Sequence, residues 1–273
     1  MIELPESNVI AAQITEYLKG KVIDEIEVGH SPHKFAFYKG EPEEYEDLLE
    51  GKTIKRAIHR GGLIEIQTED SMMFLGDGAY PRYYKDPKKF PKKHQFMMKF
   101  EDGTEMAVSI QMYGEIGVFP LGECEEGYYL SSLSKPDPLS DGFTYEYFRK
   151  LYIGQKKISA KSFLATEQRI PGLGNGVLQD ILWEAGIDPR FPMSKASEED
   201  FHTLYEAVRK ILKKMVRDGA RDTEKDLFGK KGGYITQLSK NSVYEPCMKC
   251  GNEIHKASYM GGTIYVCEHC QKR

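Results

Sequence analysis

The sequence has little cysteine outside its last 27 residues, and it has no hydrophobic run near the eighteen or so residues that a membrane span needs. Only Cys124 precedes that segment, and we interpret it as an incidental thiol rather than a nucleophile. No stretch has the pattern of a secretory signal peptide, and no segment repeats. These absences argue against a disulfide-rich secreted domain and a membrane protein, so we expect a cytoplasmic, reduced chain.

The four remaining cysteines form two C-x-x-C pairs, Cys247 with Cys250 and Cys267 with Cys270, and sixteen residues separate the pairs. Two such pairs place four thiolates around one point, which is the tetrahedral arrangement that zinc requires. The alternative is two disulfides, which the absence of a secretory signal disfavours. We therefore predict one structural zinc ion with no open coordination position for chemistry.

The residues between the cysteine pairs alternate as a β-hairpin does. A hairpin fixed by zinc can bind nucleic acid, bind protein or only support its own fold, and this segment alone does not choose between these roles.

Charge is divided unevenly along the 273 residues, although the formal net charge is only −4. Residues 1–150 carry a net charge of −9, and residues 151–273 carry +5. A basic half that also contains the predicted zinc site is typical of nucleic-acid binders, but segregation of this size also arises by chance. The length allows two domains and a metal module.

The first half begins with a predicted helix and continues with short strands. Apolar residues spaced for a helix run from Val9 to Leu18, where Ser7 or Asn8 can cap the start. Short runs rich in Ile, Val, Phe and Tyr then extend to Phe119, which predicts an antiparallel sandwich or barrel. Between two of these runs, residues 83–94 mix five lysines with aromatics and prolines, as either a solvated loop or a phosphate-binding loop would.

The second half has helical periodicity after a proline-containing boundary at residues 134–142. Helices are predicted over 143–153, 159–168, 177–185 and 198–216. The sequence from Arg169 to Asn175 is a glycine-rich turn before the third of these helices, where the backbone N–H groups of a helix start and the helix dipole favour an anion. This pattern indicates a helix-turn-helix with an anion-binding end.

These motifs together resemble the formamidopyrimidine-DNA glycosylase and endonuclease VIII family of base-excision repair enzymes. The sequence Ile2-Glu3-Leu4-Pro5-Glu6 is similar to the family's N-terminal signature, and Pro171-Gly172-Leu173-Gly174-Asn175 is similar to its helix–two-turns–helix element. The order of these motifs and the terminal Cys-x-x-Cys-Gln matches along the whole chain.

The resemblance implies an α+β multidomain fold: an N-terminal antiparallel β-sandwich with flanking helices, a helix–two-turns–helix domain and a zinc ribbon, with DNA between the halves. We predict domain bounds of 1–135, 136–228 and 229–273. The implied chemistry is attack of the N-terminal amine on C1′ of a flipped nucleotide, followed by strand elimination through a Schiff base. The resemblance assigns catalysis to Met1, Glu3 and Glu6, and DNA contacts to Arg60, Met112, Lys161, Gly174 and Asn175.

The sequence departs from the family pattern where the chemistry is expected. Ile2 replaces the family's N-terminal proline, and because isoleucine is large we expect Met1 to be retained. Gly62 stands where the family has a DNA-contacting lysine, and Gly261-Gly262 replaces a Gly-Arg pair at the zinc hairpin. Gln111-Met112 replaces an arginine pair, which leaves Met112 or Tyr113 to wedge the base stack.

Two functions therefore remain open from the sequence. One is a DNA glycosylase and AP lyase that uses the Met1 amine on oxidised bases or abasic sites. The other is a catalytically impaired paralogue that binds lesions or bent DNA without cleaving it. In both cases the expected partner is damaged double-stranded DNA, and we expect a monomer associated with the nucleoid.

Overall fold

The computed structural model describes residues 1–153 and 157–273. The chain folds as two compact units. The first contains Met1–Leu133 with Glu224–Lys231, and the second contains Ser134–Thr223 with Gly232–Arg273. Across the described part of the chain, no helix is long and apolar enough to span a bilayer.

Helix α1 (Leu4–Leu18) opens the first unit, and it starts five residues before the predicted position at Val9. The prediction that Ser7 or Asn8 caps it is wrong, because both residues lie inside the helix and Glu3 is the N-cap residue. The backbone N–H of Glu3 donates to Glu6 Oε2, at 3.1 Å. Pro5 fits the first turn, where its missing N–H leaves no helical bond unmade. The early start buries the first turn of the helix, including both acidic side chains.

Seven strands of the first unit form one sheet, in the order β1-β6-β7-β5-β4-β3, with β2 also paired to β7. The pairings are antiparallel, as predicted, except that β2 runs parallel to β7. The strands are β1 (Ile23–Val28), β2 (Ala36–Lys39), β3 (Arg56–Arg60), β4 (Leu63–Gln67), β5 (Ser71–Tyr84), β6 (Phe96–Phe100) and β7 (Glu105–Pro120). Two short helices, α2 (Tyr45–Leu49) and α3 (Gly127–Ser134), accompany the sheet.

The two long strands, β5 and β7, pair with each other along most of their length, and the register of this pairing shifts between Asp77 and Ala79. Gly78 is required at the shift, because a Cβ there would lie 2.0 Å from the carbonyl oxygen of Gln111. Gly114 is required for the same reason, since its Cβ would lie 2.7 Å from the Ala79 nitrogen. Asp77 and Met112, both with positive φ, lie at this irregularity in the middle of the two strands.

The segment Glu224–Lys231 packs in the first unit, although the predicted bounds placed it across the helical and zinc modules. Leu227 is fully buried in the core of the sheet, and its carbonyl oxygen accepts the N–H of Tyr83 at 2.9 Å. Gln13 of α1 donates to Asp226 at 2.9 Å. This return could not be predicted from the sequence, because a single buried leucine in a polar segment has no distinct pattern.

The described residues of the second unit form four α-helices: α4 (Tyr145–Lys150), α5 (Ala160–Ala165), α6 (Val177–Ala185) and α7 (Glu198–Arg217). The bounds of α6 agree with the prediction, because Gly186 ends the helix in the left-handed conformation. Ser197 and Asp200 cap the start of α7 reciprocally. The helices α4 and α5 are shorter than predicted.

A two-stranded hairpin, β8 (His255–Tyr259) and β9 (Gly262–Val266), lies near the C-terminus and packs against α6. Tyr265 N donates to the side chain of Gln179 on α6, at 3.0 Å. The last residues also return to this helix, because Lys272 N donates to the carbonyl oxygen of Gly186. The hairpin is thus part of the second unit rather than a separate body.

Candidate functional site

Ile2 fixes the start of the chain in the first unit. Its side chain is 4% exposed in the core of the sheet, and its backbone N–H donates to the Asp77 carbonyl oxygen at 2.7 Å. The N-terminal amine of Met1 is therefore held one residue outside the core. This hydrogen bond requires a residue with a backbone N–H after Met1, since a proline at position 2 would have no hydrogen to donate.

The Met1 amine lies 3.4 Å from Oε2 of Glu224, which also accepts a hydrogen bond from the Tyr80 hydroxyl. Glu224 belongs to the segment that returns from the far end of the chain, and its side chain is 18% exposed. Sequence reasoning missed both Glu224 and Tyr80. Neither is part of a motif, and their proximity to Met1 depends on the burial of Leu227 beside them in the chain.

Glu3 and Glu6, the two predicted acids, both lie at the first turn of α1 and are almost fully buried. Glu6 accepts the Glu3 N–H, so part of its role is to cap the helix. Ser7 extends the same turn by donating to the carbonyl oxygen of Gly61, at 2.6 Å. The structure thus brings Met1, Glu3 and Glu6 to one end of one helix.

Asp77 adds a further acid beside the N-terminus. Burial raises the pKa of its carboxyl, and the positive charge of the N-terminal amine opposes that rise. Burial also raises the pKa of the nearby Tyr113 hydroxyl, and the charges of Asp77 and Glu3 add to this effect. Met112 precedes Tyr113 and is 73% exposed, so its side chain is accessible at the register shift of β5 and β7.

Arg60, a predicted DNA contact, lies at the end of β3 and is engaged within the first unit. Its Nε donates to Glu65 Oε2 at 2.7 Å, and the Glu65 side chain is buried. Tyr129 donates to the same carboxylate at 3.1 Å. Arg60 therefore neutralises a buried charge, which is reason enough for an arginine here. Its contact with DNA stays a prediction.

In the second unit, Lys161 and Asn175 both hold the turn of the C-terminal hairpin. Lys161 Nζ donates to the carbonyl oxygen of Tyr259 at 2.7 Å, and Asn175 Nδ2 donates to that of Thr263 at 3.0 Å. Gly262 lies against both side chains, because a Cβ on it would be 3.1 Å from Lys161 Nζ. Burial lowers the pKa of Lys161. Gly174 precedes Asn175, and its carbonyl oxygen begins the hydrogen bonding of α6.

The four C-terminal cysteines converge, and their sulfur atoms lie within 4.8 Å of one another. The Sγ atoms of Cys247 and Cys270 are 3.8 Å apart, and those of Cys250 and Cys267 are 3.4 Å apart. Four sulfurs about 2.3 Å from one ion in tetrahedral geometry would be separated by about 3.8 Å. This cluster can therefore hold a tetrahedral metal ion.

Hydrogen-bond donors stabilise the thiolate forms of two of the cysteines, Cys247 and Cys250. Trp183 Nε1 donates to Cys247 Sγ at 3.3 Å, and Asn252 Nδ2 donates to Cys250 Sγ at 3.4 Å. The hydrogen bond from the Asn252 side chain is the largest of the effects that lower the pKa of Cys250 to about 6. Such outer hydrogen bonds are typical of sulfur-ligated metal sites.

Comparison with known protein families gives two matches, which together include most of the chain. Residues 1–111 match the formamidopyrimidine-DNA glycosylase N-terminal domain, and residues 135–226 match the formamidopyrimidine-DNA glycosylase H2TH domain.

Individual relatives match along their full length. The formamidopyrimidine-DNA glycosylase of Bacillus licheniformis is 29% identical over 281 residues, covering 100% of each chain. That of Cytobacillus firmus is also 29% identical, covering 99% of this chain and 100% of its own. Among solved structures, the Lactococcus lactis Fpg in complex with DNA containing an abasic site has a TM-score of 0.84 at 24% identity, covering 99% of this chain and 100% of its own. The MutM (Fpg) protein of Thermus thermophilus has a TM-score of 0.82 at 22% identity, covering 98% of each chain.

Proposed function

Because the chain belongs to the formamidopyrimidine-DNA glycosylase family, we propose that it binds damaged double-stranded DNA and acts as a DNA glycosylase and AP lyase through the primary amine of Met1. The observation that carries this proposal is the position of that amine, which is anchored by buried Ile2 and lies 3.4 Å from Glu224. An amine held at a fixed position beside a carboxylate is suited to nucleophilic catalysis.

The proposed reaction uses the amine only in its neutral form. The Met1 ammonium loses a proton to the Glu224 carboxylate, and the nitrogen lone pair then forms a bond to C1′ of the damaged nucleotide. The bond from C1′ to the base breaks, and its electron pair leaves with the base. By family resemblance, Glu3 takes a proton from the nitrogen now bonded to C1′ and delivers it to the ring oxygen as the bond from C1′ to that oxygen breaks, which leaves a protonated Schiff base at C1′. Loss of the C2′ proton then expels the 3′ phosphate.

Glu6, Asp77 and Met112 have supporting roles in this proposal. Glu6 keeps the first turn of α1 in place through the Glu3 N–H, so that Glu3 stays oriented. Asp77 anchors Ile2 through its carbonyl oxygen. The exposed Met112 side chain can insert into the base stack where an extruded nucleotide leaves a gap.

The second unit supplies phosphate contacts in the same proposal. Asn175 lies in the glycine-containing turn at the start of α6, where the direction of the backbone N–H groups and the helix dipole favour a phosphate. Lys161 and Asn175 fix the hairpin turn, so that Gly262 and its neighbours can present their backbone to the DNA. Fewer cationic side chains than in the family pattern predict a smaller salt dependence of binding.

We assign a structural zinc ion to the four cysteines. Their spacing, their sulfur separations and the donors from Trp183 and Asn252 fit a four-thiolate site. Zinc would hold the C-terminal hairpin against α6, which makes it part of the folding of this unit and leaves it outside the reaction. We also propose 1–135, 136–228 and 229–273 as the functional modules, and a nucleoid-associated monomer in the cytoplasm as the working form.

The second candidate function is a lesion-binding protein that does not cleave. The observation that favours it is the absence of a lysine at Gly62, together with a Met1 amine that already has Glu224 as an ionic partner. Incubation of the purified protein with an abasic-site duplex and borohydride separates the two functions, because borohydride reduces a Schiff base to a stable covalent adduct. An adduct with strand nicking supports the lyase. Salt-dependent binding with neither adduct nor nick supports the second candidate.

A further inference from the structure

Three potential metal ligands of the first unit meet at one end of β1. Glu27 lies on β1, His30 follows it in the next loop, and His94 ends the lysine-rich segment 85–94. His30 Nδ1 is 2.8 Å from Glu27 Oε1, and His94 Nε2 is 3.0 Å from Glu27 Oε2. One ligand atom of each side chain lies within 4.8 Å of the others.

Both ring nitrogens of His94 face oxygen atoms. Its Nδ1 lies 3.3 Å from the carbonyl oxygen of Pro91, and its Nε2 lies 3.0 Å from Glu27 Oε2. A neutral imidazole carries only one ring hydrogen, so a hydrogen on Nδ1 leaves the Nε2 lone pair directed toward Glu27, where a metal ion can bind both groups.

The distances suit an ion with ligands at right angles. Nitrogen and oxygen atoms bound about 2.1 Å from one ion at 90° are separated by roughly 3 Å, close to both His–Glu distances here. The two imidazole rings lie nearly parallel, with an interplanar angle of 10° and centroids 4.4 Å apart. A metal ion lies close to the plane of each imidazole that binds it, so binding of one ion requires the more exposed His30 ring to turn about its side-chain bonds until both lone pairs meet at the ion. Two histidines and one carboxylate on one side of an ion leave its remaining positions to water.

The backbone already holds these side chains together. Gly29 N donates to the Gln95 carbonyl oxygen at 2.8 Å, and Ser31 N donates to that of His94 at 2.9 Å. A cavity of about 510 Å³ lies beside His30, where water ligands can enter. Lys93 also borders this cavity and weakens cation binding, but lysine side chains that extend into solvent are strongly screened.

We propose that Glu27, His30 and His94 form a second metal site, for a divalent ion that prefers imidazole nitrogen, such as Ni²⁺, Co²⁺ or Zn²⁺. The bound ion would fasten the lysine-rich segment to β1, since His94 is the last residue of that segment and Phe90 packs edge-on against its ring. The segment that the sequence left as either a solvated or a phosphate-binding loop would then be ordered by metal. This inference concerns the first unit and does not depend on the lyase reaction.

The test uses full-length, untagged, zinc-loaded protein and Ni²⁺ as the probe. Equilibrium dialysis followed by elemental analysis of both metals should give one Ni²⁺ per chain in addition to one Zn²⁺. Glu27→Gln and His30→Gln should each weaken Ni²⁺ binding by about tenfold or more, because each removes a direct ligand. Glu25→Gln is the matched control, since it makes the same change on the same strand at an exposed carboxylate, and it should bind Ni²⁺ as the parent does.

A second readout follows the lysine-rich segment itself. Ni²⁺ should slow tryptic cleavage at Lys88, Lys89, Lys92 and Lys93 in the parent and in Glu25→Gln, but not in Glu27→Gln. His94→Gln is a buried change and is included only if its circular dichroism matches the parent. Absence of Ni²⁺ beyond displacement of zinc, or equal binding by the parent and Glu27→Gln, would show that the cluster holds only protons and would overturn the proposal.

Discussion

The amine of Met1 lies 3.4 Å from the carboxylate of Glu224, which is 223 residues further along the chain. This relationship depends on two separate anchors. Ile2 is buried at the start of the sheet core, and Leu227 brings the returning segment into the same core. The proposed nucleophile and its proton acceptor are thus positioned by hydrophobic packing rather than by adjacent sequence.

Replacement of Glu224 tests the proton acceptor. We expect Glu224→Gln to reduce the rate of borohydride trapping on an abasic duplex by about tenfold or more, because the amine loses its acceptor and its orientation. Binding of the same duplex should change little. Glu125→Gln, an exposed change in the same unit, is the control and should trap at the parental rate. Equal rates for the parent and Glu224→Gln would remove Glu224 from the mechanism.

Replacement of Ile2 tests whether the reactive amine is that of a retained Met1. Ile2→Leu keeps a large second residue, so Met1 should be retained and trapping should continue. Ile2→Ala allows removal of Met1 and leaves a cavity, so we expect loss of trapping and a decrease in stability of about 2–5 kcal/mol. Intact-protein mass spectrometry and thermal unfolding measure both effects. Efficient trapping by a processed Ile2→Ala protein would contradict the placement of the nucleophile at Met1.

Gly262 tests the phosphate contacts of the C-terminal hairpin. Gly262→Arg should strengthen DNA binding and steepen the dependence of log K on log salt by about 0.9, because one further phosphate is neutralised. A Cβ at this position meets Lys161 Nζ at 3.1 Å, which the end of a lysine side chain can accommodate. Gly127→Arg adds the same charge in open space at the start of α3. An equal change in slope for the two variants would show that only net charge matters.

The pH dependence of stability tests the buried environment of Asp180 in the second unit. Burial raises the pKa of this carboxyl to about 6, although Tyr234 and the backbone N–H groups of Gln237 and Leu238 oppose the rise. An acid whose pKa is raised by folding destabilises the folded state once it ionises. The contribution of Asp180 to the stability is therefore greatest below its unfolded pKa of 3.8 and falls, by about 3 kcal/mol in total, as pH rises through about 6.

Asp180→Asn removes this titration and places an amide donor against backbone donors, so it should be less stable than the parent. The difference between the two proteins should shrink by about 1.5 kcal/mol between pH 5 and pH 7.5, because only the parent loses stability through Asp180. Urea unfolding with excess zinc measures it, and Trp183, the one tryptophan, reports on the neighbouring turn of α6. A gap that does not vary with pH would refute the raised pKa.

Local signals in the sequence predicted much of the fold. The cysteine spacing located the four-sulfur cluster, and Gly186 located the end of α6 because glycine accepts the left-handed conformation there. The start of α1 was misplaced because Glu3 and Glu6 cap it with acids rather than with the expected Ser7 or Asn8. The sequence pattern also could not predict that β5 and β7 are long, uninterrupted strands, since the register shift at Gly78 depends on tertiary contacts between them.

The candidate site was less predictable than the fold. Met1, Glu3 and Glu6 followed from the N-terminal motif, but Glu224 and Tyr80 approach Met1 only through tertiary packing. The partners of Arg60 and Lys161 also could not be predicted from the sequence. Arg60 binds a buried carboxylate and Lys161 binds a hairpin carbonyl oxygen, and no spacing rule connects either residue to its partner.

Tandem mass spectrometry of the borohydride-trapped adduct identifies the nucleophile, which we propose is Met1. The purified protein is trapped on an abasic-site duplex, digested, and searched for the peptide that carries the reduced sugar. We predict attachment at the α-amine of an unprocessed Met1. Attachment at any lysine, or no adduct under conditions where the duplex is fully bound, would show that Met1 is not the nucleophile.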